Sequence, residues 1–438
     1  MFSSRALGRA KVAAAVAATA LVLSACGSSD EAGSTPAATT TAGATTASDA
    51  VTVDGSPESS ETAGATGGET TGGSQAAGEP GIVTITVTEA DGCVASPDTV
   101  PAGPITFNVT NVDAAGVTEV EVVSEQRIRG ERENLAPGFD ASFSVKLDGG
   151  SYEVYCPGAT TERQPFTVTG EAAVTTGNIA DLLQQATVDY AAYIDDQTGF
   201  LVDATKPLVA AIKAGNLEEA QKAYATARVF YERIEPVAES FGDLDPAIDL
   251  RIGDVEAGVE WTGFHPIEKA LFEGKTTKGL DKLADKLMAD ILDLQARAKE
   301  LGANTSADTK GADRYKPDEV ANGAVGLLAE VQQSKISGEE EAYSRIDLLD
   351  FEANVEGSTQ AFAVLRPALD EIDPELAKNI STKFDTLQAL LATHKDPKQI
   401  GGYTLFPDLS DKDLKALADA LAAVAEPLAK ISGKIATA

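Results

Sequence analysis

The sequence predicts a multidomain protein, an all-β sandwich followed by an all-α antiparallel helical bundle. Three observations predict it. Residues 82–169 hold short β-branched or aromatic runs separated by Gly, Pro, Asn and Asp, as strands of a sandwich do. From about Asn178 the apolar residues recur every three or four positions, the period of amphipathic helices. The chain of 438 residues is also longer than one ordinary domain.

The elements follow in chain order. Residues 1–25 read as a signal peptide: Arg5, Arg9 and Lys11 precede an apolar core, "VAAAVAATALVLSA", too short to span a membrane as a mature helix. The core ends in Leu23-Ser24-Ala25-Cys26, small residues before a cysteine, the form of a bacterial lipobox. Lipid on Cys26 would anchor the exported protein at the outer face of the cytoplasmic membrane, in the cell envelope. The alternative is an ordinary cleavage site with a chance cysteine. Residues 26–80 are Ser, Thr, Gly, Ala, Pro and acid, with almost no large apolar residue. They are expected to form a disordered linker with a reach of roughly 40 Å.

The β domain is expected over 81–172, with strands at "IVTITVTEA", "ITFNVTNV", "TEVEVV", "ASFSVKL" and "SYEVYC". The helical domain is expected over 173–438. Leu280, Leu283, Leu287, Ile291 and Leu294 share one helix face. Ile380, Phe384, Leu387 and Leu391 share another, and Leu414, Leu417, Leu421, Val424 and Leu428 a third. In "AGNLEEAQ", Gly215 suits the end of one helix and Asn216 the cap of the next, with Glu219 at its third position. Gly302 is expected to end another helix. Short connections between such helices imply antiparallel packing.

Charge bounds the function. Asp plus Glu number 68 against 35 Lys plus Arg, a formal charge of −33. That balance argues against a nucleic-acid partner. It suits attraction of cations, although acidity alone also keeps a protein soluble. Residues able to carry chemistry are few: two histidines, three cysteines and one tryptophan. His265 stands in "WTGFHPIEKALFEG", three positions before Glu268 and close to Trp261. Positions i and i+3 share a helix face, so imidazole and carboxylate can converge on one ion. A mixed nitrogen and oxygen site suits iron or a zinc-like divalent metal. The competing reading is structural, with Pro266 in a first helical turn and Glu268 as a capping-box residue. Further ligands would come from Glu235, Asp254, Asp347 and Asp350, each of which also reads as a solvated or ion-paired side chain. His394, in "LATHKDPK", reads as a surface residue. No His-Glu-x-x-His peptidase pattern, nucleophile elbow or phosphate-binding loop occurs, so the chain is not expected to be an enzyme.

Longer stretches carry a resemblance. On "ERENLAPGF" at 131–139, "YERIEP" at 231–236, "WTGFHPIEKALF" at 261–272 and "SKISGEEEAYSRIDLLDFEANVEGS" at 334–358, the chain resembles the EfeO family of bacterial iron-uptake lipoproteins over roughly 82–438. The resemblance implies a cupredoxin-like β domain joined to an imelysin-like, peptidase-family helical domain. It implies capture of ferrous or ferric iron and delivery to a membrane iron permease, in a system that also uses a haem peroxidase. His265 and Glu268 fall in the segment that marks the family's proposed metal site. Arg345 stands where a histidine is common, which would alter that site.

In the β domain a blue-copper site of two histidines and a cysteine is ruled out, because no histidine precedes residue 265. By the resemblance, Cys156 takes the place of a cupredoxin thiolate and Glu119 that of its first histidine. Glu121 shares the strand face of Glu119. With Cys93, Glu131 and Glu133 these residues form a candidate Cys/Glu site for iron or copper. The alternative is a Cys93–Cys156 disulfide, expected outside the cytoplasm. Two other readings of the whole stay open: a metallopeptidase, and a copper or electron-transfer protein.

Overall fold

The computed structural model describes residues 81–124, 127–133, 135–173, 175–255, 258–304 and 314–438. The signal peptide, Cys26 and the linker assigned to 26–80 lie outside the described residues.

Strands β1 Gly81–Thr88, β2 Gly92–Ser96, β3 Thr99–Pro101, β4 Gly103–Asn111, β5 Glu119–Ser124, β6 Arg127–Glu133, β7 Phe139–Leu147, β8 Gly150–Tyr155 and β9 Arg163–Thr169 form two sheets. Their orders are β2-β1-β4-β7 and β3-β9-β8-β5-β6. β1 runs parallel to β4, and β3 to β9; the other pairs are antiparallel. Alternation turns Val83, Ile85, Val87, Ile105 and Phe107 of one sheet toward Val120, Val122, Val154 and Phe166 of the other, in one buried core. Phe107 stacks on Phe143 with centroids 5.0 Å apart and meets Phe166 of the opposite sheet edge-on at 5.5 Å. A Cys93–Cys156 disulfide ties β2 to the end of β8 and so joins the sheets.

The five expected runs are all strands. β6, "RIRGERE", was not among them, since its sequence shows no apolar alternation. It is a sheet edge, and an inward Cβ at Gly130 would lie 3.2 Å from the Phe143 ring.

The helices are α1 Asn178–Ala214, α2 Leu217–Glu232, α3 Leu244–Asp249, α4 Phe264–Glu268, α5 Asp281–Ala303, α6 Pro317–Glu330, α7 Asp347–Ile372, α8 Pro374–Ala392, α9 Asp411–Leu428 and α10 Ile431–Ala436. α1 packs along α2 and α5, and α7 packs against α1, α2, α6 and α8. The apolar stripes are the buried ones: Leu287, Ile291 and Leu294 in α5, Ile380, Phe384 and Leu387 in α8, Leu417, Leu421 and Val424 in α9. At the α1–α2 junction Gly215 is left-handed and the Asn216 side chain accepts the Glu219 N–H. Gly302 lies one residue before the end of α5 at Ala303, where an added Cβ would make ordinary contact with Ala191 of α1. No helix among the described residues is long and apolar enough to cross a membrane.

Two features of packing position the site. β6 and β7 rest on α6, where Asp318 accepts the Lys146 N–H at 2.6 Å and Asn322 donates to the Ser144 carbonyl at 2.8 Å. Gly323 of α6 and Gly357 of α7 clasp the turn after α2: a Cβ at either would lie 1.7 Å from the Pro236 carbonyl oxygen or 2.4 Å from that of Arg233. Only glycine allows this approach, and it fixes the carboxylates of Glu232 and Glu235 in the interior.

Candidate metal centre

α4 starts abruptly. Gly263 precedes it at φ 89°, and a Cβ there would sit 2.0 Å from the Ile248 carbonyl oxygen. The helix buries both His265 and Glu268. Glu268 makes no capping hydrogen bond to its own helix. Its Oε1 instead accepts the backbone N–H groups of Tyr343 and Ser344, each at 2.7 Å. Its Oε2 lies 3.4 Å from His265 Nδ1. The capping-box alternative is therefore not the geometry of this helix, and Glu268 joins α4 to the 336–346 loop.

On the other side of the imidazole, Nε2 lies 3.3 Å from Asp249 Oδ1 and 3.6 Å from Glu340 Oε1. Asp249, His265 and Glu340 offer ligand atoms within 4.8 Å of one another, as do His265, Glu268 and Glu341. The same spacing holds for Glu232, Glu340 and Asp350, and for Glu232, Glu235 and Asp249. Among the described residues these overlapping sets are where three or more such ligands converge. They could coordinate a cation through one nitrogen and several oxygens, a donor set that suits iron.

The fixed positive charges in this cluster are few. Arg228 is fully buried and pairs with Asp249 and Glu232, and at 3.0–3.2 Å with Asp350, Glu340 and Glu341. Lys335 is buried and pairs with Glu232, and with Glu235 at 3.1 Å. The carboxylates outnumber these cations. Buried charge without a partner is costly, and protons make up part of the difference. Burial, then Glu268 and Asp350, push the Glu341 carboxyl well up; burial, overcoming the pull of Arg228, does the same to Asp350. Burial raises Asp249 to about 6. Glu340 goes the other way: Lys335 and His265 outweigh burial and hold it well below the usual range. For His265, burial favours the neutral ring, but Asp249, Glu268 and Glu340 outweigh it and bring the pKa to about 10. Asp350 Oδ1 is buried without a hydrogen bond, as expected of an oxygen that a cation can use.

The sequence-predicted residues divide. His265, Glu268, Glu235 and Asp350 belong to the converging sets. Asp347 is buried beside them; its Oδ1 accepts the Glu341 N–H at 3.2 Å, so it orients that loop. Asp254 does not converge: it is exposed and pairs with Arg251 at 3.1 Å. Its place is taken by Asp249, at the end of α3. Arg345 is exposed and donates to the Gly338 carbonyl at 3.3 Å, outside the ligand sets. Asp249, Glu232, Glu340 and Glu341 were not singled out from the sequence. Glu232 stands three positions before Glu235 in "YERIEP", and Glu340 and Glu341 stand in "SGEEEAYSR", so helical spacing and the acidic run were the available signals. A cleft of about 450 Å³ leads to His265 past Arg251, Trp261, Glu330, Glu339 and Tyr343. The tryptophan is fixed by its Nε1–H, which donates to the Leu250 carbonyl at 2.7 Å.

The β-domain residues are arranged differently. Glu119 lies opposite Glu133, and Glu121 opposite Glu131, so all four carboxylates share one face of the β5–β6 ladder. Burial, then the neighbouring Glu119, raise Glu121 to about 7. Both cysteines are taken up by their mutual disulfide, so the Cys/Glu arrangement reduces to its oxygens. Glu131 and Glu133 also line a cavity of about 50 Å³ against the helical domain, shared with Glu235, Glu319 and Glu330.

Comparison with known proteins places these features. The Imelysin family model matches residues 186–431. The iron uptake system component EfeO of Escherichia coli (strain K12) is 40% identical over 356 residues, covering 80% of this chain and 90% of the relative. The same figures hold for EfeO of Shigella flexneri and of Escherichia coli O157:H7. With a β domain ahead of an imelysin domain, and this identity along most of its length, the chain belongs to the EfeO family of iron uptake system components.

Proposed function

We propose that this protein is an iron-binding lipoprotein of the cell envelope, which captures iron at the His265 centre and delivers it to a membrane permease. The observation that carries this reading is the buried excess of carboxylate around a single imidazole. A cation of two or three charges neutralises that excess and takes up oxygens such as Asp350 Oδ1. The donor set is hard oxygen plus one imidazole nitrogen, which favours iron over copper(I). The cleft with Glu330, Glu339 and Glu340 at its walls draws cations inward. The lipobox and the core-free segment support lipidation at Cys26 with a linker over 26–80, and the family resemblance supports a cupredoxin-like β domain that works alongside a permease and a haem peroxidase. His265 has no second histidine beside it on α4 to form a zincin pair, so transport without catalysis is the better reading. Anaerobic titration of the purified protein with ferrous iron tests it. Stoichiometric binding at micromolar or lower Kd is expected; no binding of ferrous or ferric ion would sink the proposal.

A further inference from the structure

We propose that Lys335 is a resident cation: its ammonium holds one end of the carboxylate cluster when iron is absent, and it withdraws when iron enters. The proposal rests on the iron-site reading above and adds a specific exchange to it.

Three observations support the exchange. The first is position. Lys335 Nζ pairs with Glu232 and, at 3.1 Å, with Glu235, and lies 3.9 Å from Glu340. Glu232 and Glu235 belong with Asp249 to one of the ligand sets, and Glu340 also faces His265 at 3.6 Å. The ammonium therefore competes for oxygens that an ion at this end of the cluster would use.

The second is the difference between the two buried cations. Arg228 projects from the C-terminal part of α2, and its rigid fork contacts five carboxylates. Such a guanidinium cannot leave without dismantling the centre. Lys335 presents a compact charge on a flexible stem, with fewer partners. It also ends a π-helical turn, Val331–Lys335, closed by the Ile336 N–H to the Val331 carbonyl at 3.1 Å. Single π turns are frequent at functional sites, and this one closes the end of α6 just before the loop. The loop that follows carries Glu340 and Glu341 and is pinned at its far end by Glu268. A shift at Lys335 can thus reach the carboxylates of its own loop.

The third is somewhere to go. Glu235 lines the 50 Å³ cavity between β6 and α6, with Glu330 on its wall one π turn before Lys335. That volume accommodates a few waters. A displaced ammonium can therefore stay hydrated and near carboxylate rather than cross an apolar core.

The test compares wild type with Lys335→Met and Lys335→Arg as purified full-length proteins, titrated with Mn²⁺ in air and Fe²⁺ without oxygen. Met has nearly the same shape but no charge to displace, so Lys335→Met should bind either ion at least about tenfold more tightly. Without metal it should melt lower than wild type, and metal should raise its melting point more. Lys335→Arg, which grips carboxylates bidentately, should bind more weakly than wild type. A Lys335 that only supports the fold predicts the reverse order, with Met weaker and Arg close to wild type; that order, or unchanged affinity in Lys335→Met, overturns the proposal. If Lys335→Met does not fold alone, refolding with Mn²⁺ decides: recovery supports the exchange and no recovery refutes it. Absence of metal binding by the wild type would instead refute the iron-site reading itself.

Discussion

Glu268→Gln separates the two jobs of one side chain. Glu268 Oε1 accepts two backbone N–H groups at 2.7 Å, and Oε2 faces His265 Nδ1 at 3.4 Å. Hydrogen bonds to a charged acceptor contribute about 1.5–3 kcal/mol each, and neutral ones about 0.5–1.5 kcal/mol. Glutamine keeps the acceptor for the Tyr343 and Ser344 amides, so the loop stays attached at a loss of about 2 kcal/mol. Part of that loss is offset, because the charge of Glu268 raises the neighbouring Glu341. The metal-free variant should melt only a few degrees lower than wild type. Iron binding should suffer more: loss of a charged oxygen ligand should weaken it by at least about 1.4 kcal/mol, or tenfold. Thermal melts and anaerobic calorimetry on the same preparations read both quantities. Unchanged iron affinity with the same small loss of melting temperature would show that Glu268 only holds the loop and is not a ligand.

Four other outcomes follow from the geometry. His265 is held as imidazolium with a pKa of about 10, so iron must displace a proton: affinity should rise with pH, by up to about tenfold per unit near neutrality, with proton release seen in buffers of different ionisation heat, and a falling affinity would contradict the assignment. Without iron the dependence reverses, because a raised histidine pKa stabilises fully below its unfolded value of 6.5 and that contribution is lost as pH rises through about 10; iron-free protein should melt lower at pH 9.5 than at pH 6.5. Replacing both Cys93 and Cys156 by Ser should lower β-domain stability by roughly 4 kcal/mol in denaturant titrations, whereas thiol reactivity at either residue in unreduced wild type would argue against the bond. Glu119→Gln with Glu121→Gln should remove one equivalent of bound iron at pH 8 without changing the circular dichroism; an unchanged stoichiometry would limit iron to the helical domain.

The legible parts of the sequence were those with strong local signals. Short β-branched or aromatic runs marked β1, β4, β5, β7 and β8, and leucine stripes marked α5, α8 and α9, because burial sets those periods directly. β6 was not legible, since its outer face points glutamates at a neighbouring domain rather than at water or a core. Within the centre, His265 and Glu268 were legible because histidine is rare in the chain, their segment matches the family motif, and i, i+3 spacing on one helix is visible in a string of letters. Asp249 was not, and Asp254 was chosen in its place, because the turn from α3 to α4 decides which acid reaches the imidazole. That turn depends on Gly263 pressing against Ile248, a tertiary contact with no local pattern. The pairing of Arg228 and Lys335 with this cluster was equally hidden: only packing brings either basic residue to the acids of other elements.

The central claim is that iron sits on the imidazole of His265. Anaerobic ferrous-iron calorimetry on the purified protein and its His265→Ala variant tests this most directly, with circular dichroism to establish that the variant is folded. The account predicts a loss of affinity of at least about 100-fold, beyond the roughly 10–100-fold typical of residues that only orient a ligand. A folded variant that binds ferrous iron as tightly as wild type would contradict it.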